Sequence, residues 1–190
     1  MKPSPSRTVK LAGTALLAAL VVVFDYALKF SGLKIPFPWM PMLKFDFTGV
    51  PIALSLLLFG LPSAGTTSLV AGVAIVARSG DVLSASMKVI AEVTTVLGMW
   101  AGLTLASRVR AGRGTGKAAA YVLGVLLRVI SMGAANLVVM PAYYGIPYPV
   151  AVGMTPLIAA FNVAQGSLTV LLGYFLHEAY LRRVGNQLKA

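Results

Sequence analysis

The stretch from Phe47 to Ala77, FTGVPIALSLLLFGLPSAGTTSLVAGVAIVA, runs for 31 residues without a charged side chain. Such a run is long for one membrane-spanning helix, which needs about 20 mostly apolar residues, and short for two of ordinary length. Near its middle, the segment GLPSAG at 60–65 is typical of a tight turn. The stretch therefore predicts two short apolar helices, over about 48–60 and 63–78.

The composition of the whole chain also indicates a membrane protein. Of the 190 residues, 58% are apolar and 11% are charged, with a mean hydropathy of +0.85. A soluble domain of this size lacks the interior to bury so much apolar surface. The composition excludes a soluble globular enzyme and a disordered chain. The net charge of +11 does not indicate a nucleic-acid module, because the basic residues cluster between apolar stretches.

We expect an all-α fold, with six transmembrane helices in a single bundle that forms one integral membrane domain over 1–190. The other four spans are predicted over about 11–28, 83–107, 118–140 and 154–177. Basic residues of the N-terminus, the 108–117 loop and the C-terminus make up ten of the 16 lysines and arginines: Lys2, Arg7, Lys10, Arg108, Arg110, Arg113, Lys117, Arg182, Arg183 and Lys189. Because basic loops stay in the cytoplasm, the sequence predicts a multi-pass protein of the cell membrane with both termini cytoplasmic.

The segment at 31–46, SGLKIPFPWMPMLKFD, should be an ordered, non-helical loop on the outer side, because it holds three prolines in six positions. It is too rich in bulky apolar groups to be simply solvated, so it folds back as a lid or lies in the membrane interface. We predict that residues 36–47 cap a pocket, with ligand contacts from Trp39, Met40, Leu43 or Phe45.

Ionisable and amide side chains inside the spans are the candidate ligand-binding groups, since they are costly there. Lys88 and Glu92 share a helix face, and a pair between Glu92 and Arg128 would relieve the burial cost of both. That pair is a structural link or part of a ligand site. The amides Asn136, Asn162 and Gln165 are expected to form one polar patch in the outer half of the bundle.

Catalytic and metal-binding motifs are missing from the sequence. It contains no nucleophile elbow, no P-loop and no His-Glu zinc motif. With no cysteine and the single histidine His177, a thiolate or multi-histidine metal site is excluded within one chain. We therefore expect a protein that is not an enzyme, and any active transport would need energy from a partner or a coupled ion.

Four motifs resemble the substrate-binding S components of energy-coupling factor (ECF) vitamin transporters, most closely the riboflavin-binding branch. They cover the chain from about 11 to 181. The motifs are the small-residue pair Ala15 and Ala19; LKFDFTGVP at 43–51, entering a helix that ends FGLP at 59–62; Asn136 followed by VMPAYY at 139–144; and Pro156 with FNVAQG at 161–166.

The resemblance implies a six-helix fold whose outer pocket is roofed by the loop between helices 1 and 2. It implies a vitamin ligand, with riboflavin the expected one, and no resident cofactor. The expected partners are membrane lipid, a transmembrane coupling protein that docks on the Ala15 and Ala19 face, and two ATPase subunits. Asp46 and Tyr144, which lie within the motifs, join the expected ligand-binding residues. The alternative for Ala15 and Ala19 is packing inside the bundle.

Two residues depart from the riboflavin branch. Gly49 stands where the branch usually has aspartate, and Gln165 stands where it has lysine. The ligand is therefore riboflavin held differently, or another vitamin or heterocycle. An autonomous ion-coupled transporter using Asp25, Glu92 and Arg128 is the alternative from another class, although no repeated halves are visible. A lipid-modifying enzyme is disfavoured.

Overall fold

The computed structural model describes residues 6–32 and 34–187, so the basic residues Lys2 and Lys189 of the orientation argument lie outside the described residues. The described chain is a helical bundle, which confirms the predicted fold class. Its helices are α1 (Arg7–Phe30), α2 (Gly49–Phe59), α3 (Leu61–Ser79), α4 (Val82–Arg108), α5 (Arg113–Tyr144) and α6 (Tyr148–Gln187). All except α2 are long and apolar enough to cross a membrane.

The turn predicted within the uncharged stretch is tighter than expected. Gly60 alone separates α2 from α3, with a φ of 93° that an L side chain rarely adopts. Pro62 in the first turn of α3 costs no hydrogen bond, because the first N–H groups of a helix have no partner in the helix. A single glycine therefore reverses the chain between these two helices.

The break between α5 and α6 is shorter than the sequence predicted, since the predicted break covered residues 141–153. Helix α5 continues through Pro141 to Tyr144, and α6 starts at Tyr148. The stop is at Gly145, whose φ of 63° lets the N–H groups of Gly145 and Ile146 both reach the Met140 carbonyl. Proline within the last turn removes only one hydrogen bond, so it bounds a helix less sharply than a left-handed glycine does.

The loop after α1 contains two short strands, which the all-helical prediction omitted. Strand β1 (Pro36–Phe37) pairs antiparallel with β2 (Met40–Lys44), with a bulge after Pro36. The prolines argued against strands in the sequence, because each one lacks the N–H that a strand donates. A two-stranded pair tolerates this, since the outer edge of each strand needs no partner. We call residues 36–44 the cap hairpin.

The bundle packs around α2, with α1 lying across α2 and α3, and α6 and α5 continuing the ring to α4. Its tightest contact joins α4 to α5. An added Cβ at Gly98 would lie 2.2 Å from the Leu123 carbonyl oxygen, and one at Gly102 would lie 2.5 Å from the Ala119 oxygen. Glycine in these two places lets the helix backbones touch, as in other membrane helix pairs.

Candidate ligand-binding site

A cavity of about 390 Å³ lies at the end of the bundle that carries the cap hairpin. Its walls come from the cap hairpin, the first turns of α4, the last turns of α5 and the middle of α6. Nine of the predicted site residues line it: Met40, Leu43, Asp46, Lys88, Arg128, Asn136, Tyr144, Asn162 and Gln165. The fold thus brings together residues that are up to 125 positions apart in the sequence (165 − 40).

Three other predicted site residues lie outside the cavity lining. Trp39 is 70% exposed and stands edge-on to Phe37, so it points away from the cavity. Phe45 packs on the ring of Phe161, with a centroid distance of 5.1 Å. Glu92 is fully buried beneath the cavity floor. Phe45 and Glu92 therefore hold the walls together, because they contact other side chains rather than the cavity.

Four charged side chains form a chain of alternating sign, of which three line the cavity and the fourth, Glu92, is buried behind them. The Lys88 ammonium lies 2.8 Å from Asp46 and 2.8 Å from Glu92, and the Arg128 guanidinium lies 3.2 Å from the same Glu92 carboxylate. The predicted pair between Glu92 and Arg128 is thus present. Two carboxylates and two cations balance one another within this chain, and Lys44 is the one other charged side chain among the described lining residues.

The cap end of this ionic chain is Asp46, in the loop that follows the cap hairpin. Its Oδ1 accepts hydrogen bonds from the Thr48 N–H at 3.1 Å and the Thr48 hydroxyl at 2.7 Å. Burial raises the pKa of Asp46, but the Lys88 charge and these hydrogen bonds more than offset it and lower the pKa to about 2. Asp46 is therefore ionised at neutral pH and fastens the end of the loop to α4.

Gln165 holds the same loop from the opposite helix. Its Nε2 donates to the Asp46 carbonyl at 2.8 Å, and its Oε1 accepts from the Asp46 N–H at 3.3 Å. A glutamine can do both because its amide donates and accepts, whereas a lysine has only donors. Gln165 therefore lines the cavity and also fastens the cap.

The two asparagines differ in how much hydrogen-bonding capacity they keep for a ligand. Asn162 accepts from Arg128 Nε at 3.2 Å and donates to the Ile158 carbonyl at 2.9 Å, so both ends of its amide are engaged. Asn136 donates to the Met132 carbonyl at 2.7 Å, and it is half-buried at the cavity wall. Each asparagine keeps one N–H for a ligand. Asn162 also keeps one lone pair on Oδ1, whereas Asn136 Oδ1 accepts none of the described hydrogen bonds and keeps both.

Methionines form a part of the cavity lining that the sequence did not predict. Four besides Met40 line the cavity: Met42, Met87, Met132 and Met140. Methionine side chains are flexible and polarisable, and their sulfur atoms make favourable contacts with aromatic rings. The eight methionines of the sequence did not indicate a binding site, because a methionine that lines a cavity and one that packs in the core occupy the same positions in an apolar helix. The cavity therefore has apolar, adaptable side chains among its polar ones.

The departure at Gly49 has a steric cause. A Cβ added there would lie 2.4 Å from Thr169 Oγ1 and 2.8 Å from Glu92 Oε2. An aspartate at this position would overlap both groups and bring a second carboxylate against Glu92. In this chain the space belongs to Thr169 and Glu92, which explains why glycine stands here.

A second ionic cluster fastens the start of the loop. Asp25 of α1 is buried and lies 2.9 Å from Lys34 Nζ and 2.8 Å from Arg78 Nε. Asp25 is thus engaged by its own two cations, apart from Glu92 and Arg128, which does not favour the ion-coupled alternative. Within residues 6–32 and 34–187, no three acidic or histidine side chains are clustered as a metal site would need.

The small-residue face of α1 is turned outward. Ala15 and Ala19 are exposed, whereas Ala18 and Val21 face the bundle. Packing inside this bundle, the alternative explanation for the alanine pair, is therefore wrong for these two side chains. Around them the surface is apolar, as expected of a helix facing lipid or another membrane helix.

The comparisons with known proteins bear on the fold. No protein-family model and no curated protein sequence matches the chain. Among solved structures, the chain is similar to the S component of a bacterial ECF transporter, with a TM-score of 0.74 and 21% identity over 97% of this chain and 100% of that one. The chain has the S-component fold. That fold accounts for the six helices and for the short α2.

Proposed function

We propose that this protein is the substrate-binding membrane subunit of an ECF-type vitamin importer, that it captures riboflavin on the outer side, and that it performs no chemistry on its ligand. The observation that carries the proposal is the cavity beneath the cap hairpin, set in an S-component fold. Its volume, about 390 Å³, lies within the usual range for small-molecule sites, ~300–1,000 Å³.

The character of the cavity lining supports a flat, largely uncharged heterocycle. The ionic chain from Asp46 to Arg128 is balanced within the protein, so among the described lining residues only the exposed Lys44 offers a charge outside that chain. Asn136 and Asn162 offer both donors and acceptors to the edge of a heterocycle, and the methionines offer polarisable contacts to its faces. Riboflavin, with a neutral ring edge that donates and accepts, fits this combination.

The orientation follows from the ends of the bundle. The basic residues Arg7, Lys10, Arg108, Arg110, Lys117, Arg182 and Arg183 all belong to the end opposite the cap hairpin. The positive-inside rule puts that end in the cytoplasm and the cavity on the outer side. The cap end also carries basic residues, Lys34 and Arg78, which count against this orientation. Their shared partner Asp25 neutralises one of these two charges and so reduces their weight.

The partners would be a transmembrane coupling protein and two ATPase subunits. The chain has no nucleotide-binding motif, so the energy for uptake would come from them. The exposed pair Ala15 and Ala19 supports a docking surface on α1, because small side chains allow another helix to approach closely.

Titration of riboflavin by quenching of its fluorescence tests the proposal. The wild type should quench with a dissociation constant below the micromolar range, and protein purified from cells should be yellow. Gln165→Lys restores the lysine of the riboflavin branch and should strengthen riboflavin binding if the flavin is held as in those relatives, although lysine cannot accept from the Asp46 N–H. Absence of quenching by micromolar wild type would remove riboflavin and redirect the titration to thiamine and biotin.

A further inference from the structure

The lining of the ligand cavity divides into a buried part and an exposed mouth. Most of the lining residues are buried or half-buried, and the charged side chains among them belong to the balanced ionic chain. Four lining residues are exposed where the cavity opens beside the cap hairpin: Met42, Lys44, Ser84 and Tyr144. We call these four residues the mouth. The two ends of a bound ligand therefore meet different chemistry.

The mouth carries a positive charge that no carboxylate of the lining neutralises. Lys44 lies on β2, and its ammonium makes no ion pair with the described part of the chain. Asp46 is the only acidic residue among the described lining residues, and it already binds Lys88 at 2.8 Å. Because a cleft lined by one sign of charge attracts the opposite sign, the mouth favours an anion over a cation.

Two residues of the mouth offer hydrogen-bond donors to such an anion. The Lys44 ammonium has three N–H donors, and the Tyr144 phenol, 64% exposed on the last turn of α5, can donate its O–H. Ser84 has no donor left, because its hydroxyl and its N–H both donate to Asp81, at 2.5 Å and 2.9 Å. A phosphate or carboxylate, with several acceptor oxygens, suits donors that come from two different elements.

Position distinguishes Lys44 from an ordinary exposed lysine. Lys29, in the last turn of α1, is exposed at the same end of the bundle, but it does not line the cavity. Lys44 does line the cavity, so its charge acts on whatever occupies the mouth. The two lysines therefore form a matched pair, in which one charge lies at the cavity and the other lies away from it.

We propose that Lys44 is a specificity-determining residue, which extends the ligands of this cavity to heterocycles whose outer end carries an anionic group. The ring lies among the buried methionines and amides, and the anionic group lies in the mouth beside Lys44 and Tyr144. The inference rests on the proposed function and deepens it, because it adds the charge of the ligand's outer end. For a flavin, it makes riboflavin 5′-phosphate a ligand as well as riboflavin.

The test compares these two flavins, which differ only in the phosphate. Each would be titrated against the full chain at neutral pH by quenching of flavin fluorescence, and the readout is the ratio of the two dissociation constants. Lys44→Met should shift this ratio about two- to fivefold against the phosphate, the effect of one exposed charge pair, and Lys44→Glu should shift it further. Lys29→Met is the matched control and should leave the ratio unchanged. In 1 M salt the shift should shrink, because charges are then screened within ~3 Å.

Equal ratios in Lys44→Met and Lys29→Met would overturn the proposal. A wild type that quenches riboflavin and does not quench its phosphate would overturn it as well. Should Lys44→Met fail to fold, Lys44→Gln removes the same charge and carries the same expectation.

A second measurement depends on no flavin, so it separates this inference from the proposed function. The chain has no cysteine, and Met132→Cys places one in the buried part of the lining, where Met132 is 9% exposed. Its rates of modification by an anionic reagent, sulfonatoethyl methanethiosulfonate, and a cationic one, the trimethylammonioethyl analogue, give a ratio that reports the charge around the cavity. Adding Lys44→Met should lower the anionic-to-cationic ratio about two- to fivefold, and adding Lys29→Met should not. If neither flavin binds, the riboflavin assignment fails, and an unchanged ratio in this second measurement would overturn the role of Lys44 independently.

Discussion

Removing the Lys88 ammonium tests the ionic chain most directly. Lys88 is the only described cation that bridges two carboxylates, Asp46 in the cavity lining and the buried Glu92, each at 2.8 Å. The substitution Lys88→Met keeps an unbranched side chain of similar length and removes the charge. Glu92 would keep Arg128 as a partner at 3.2 Å, whereas Asp46 would lose its ammonium partner.

The cost can be worked from Asp46. Its pKa of about 2, against an ordinary 3.8, corresponds to about 2 kcal/mol of stability at pH 7. Glu92 loses one of two cations, which brings the expected loss to about 3 kcal/mol, near the lower end of the ~3–5 kcal/mol for breaking a buried pair. For a chain of this size that is a fall of about 10 °C in the midpoint of thermal unfolding.

The pH dependence of the stability loss distinguishes a broken ion pair from a simple loss of packing, because only the ion pair titrates. In the wild type the Asp46 pKa is lowered, so its contribution is complete above about pH 4 and is lost as pH falls toward 2. In Lys88→Met the Lys88 charge that lowers the Asp46 pKa is gone, so the pKa of Asp46 moves back up toward its ordinary value. Protonation of Asp46 then costs the variant less than it costs the wild type, and the gap in stability between the two proteins should narrow as pH falls below about 4.

Thermal unfolding in detergent at pH 7 and pH 3, followed by circular dichroism, measures both effects. Lys44→Met is the matched control, because Lys44 lies on β2, is exposed, and makes no ion pair with the described part of the chain. The double variant Asp46→Asn/Lys88→Met should recover part of the loss. The reasoning fails if Lys88→Met and Lys44→Met lose the same stability at pH 7, or if the gap does not change with pH.

Three further outcomes are expected. Ala15→Leu or Ala19→Leu should leave riboflavin affinity unchanged and abolish co-purification with the coupling protein, because both side chains are exposed on α1; normal assembly would refute a docking role. Asn162→Ala should weaken riboflavin binding by about 1 kcal/mol, roughly fivefold, in the same quenching titration, and an unchanged affinity would remove Asn162 from the ligand contacts. Gly98→Ala should destabilise the fold by at least ~1–3 kcal/mol, because its Cβ would lie 2.2 Å from the Leu123 oxygen, with Gly114→Ala, which meets no atom within 4 Å, as the control in thermal unfolding.

Hydropathy and charge in the sequence were enough to establish the bundle and its candidate polar groups. Six apolar segments had to become helices, since no other open structure satisfies backbone polar groups within lipid. The same cost argument identified Glu92 and Arg128 as a pair, and the structure has them 3.2 Å apart. Both predictions rest on the free energy of burying polar groups, which depends on residue type and holds before the tertiary contacts are known.

Tertiary structure alone decided which side chains face the cavity. Trp39 lies in the bulged, proline-rich cap hairpin and Phe45 directly follows it. No period relates position to side-chain direction there, and both side chains lie outside the cavity lining. Gln165 meets the backbone of Asp46 across 119 residues, a contact that no local pattern encodes. The sequence thus determined what must be buried, through the cost of exposing it to water or lipid, whereas packing of distant segments decided which groups are buried against each other and which line the cavity.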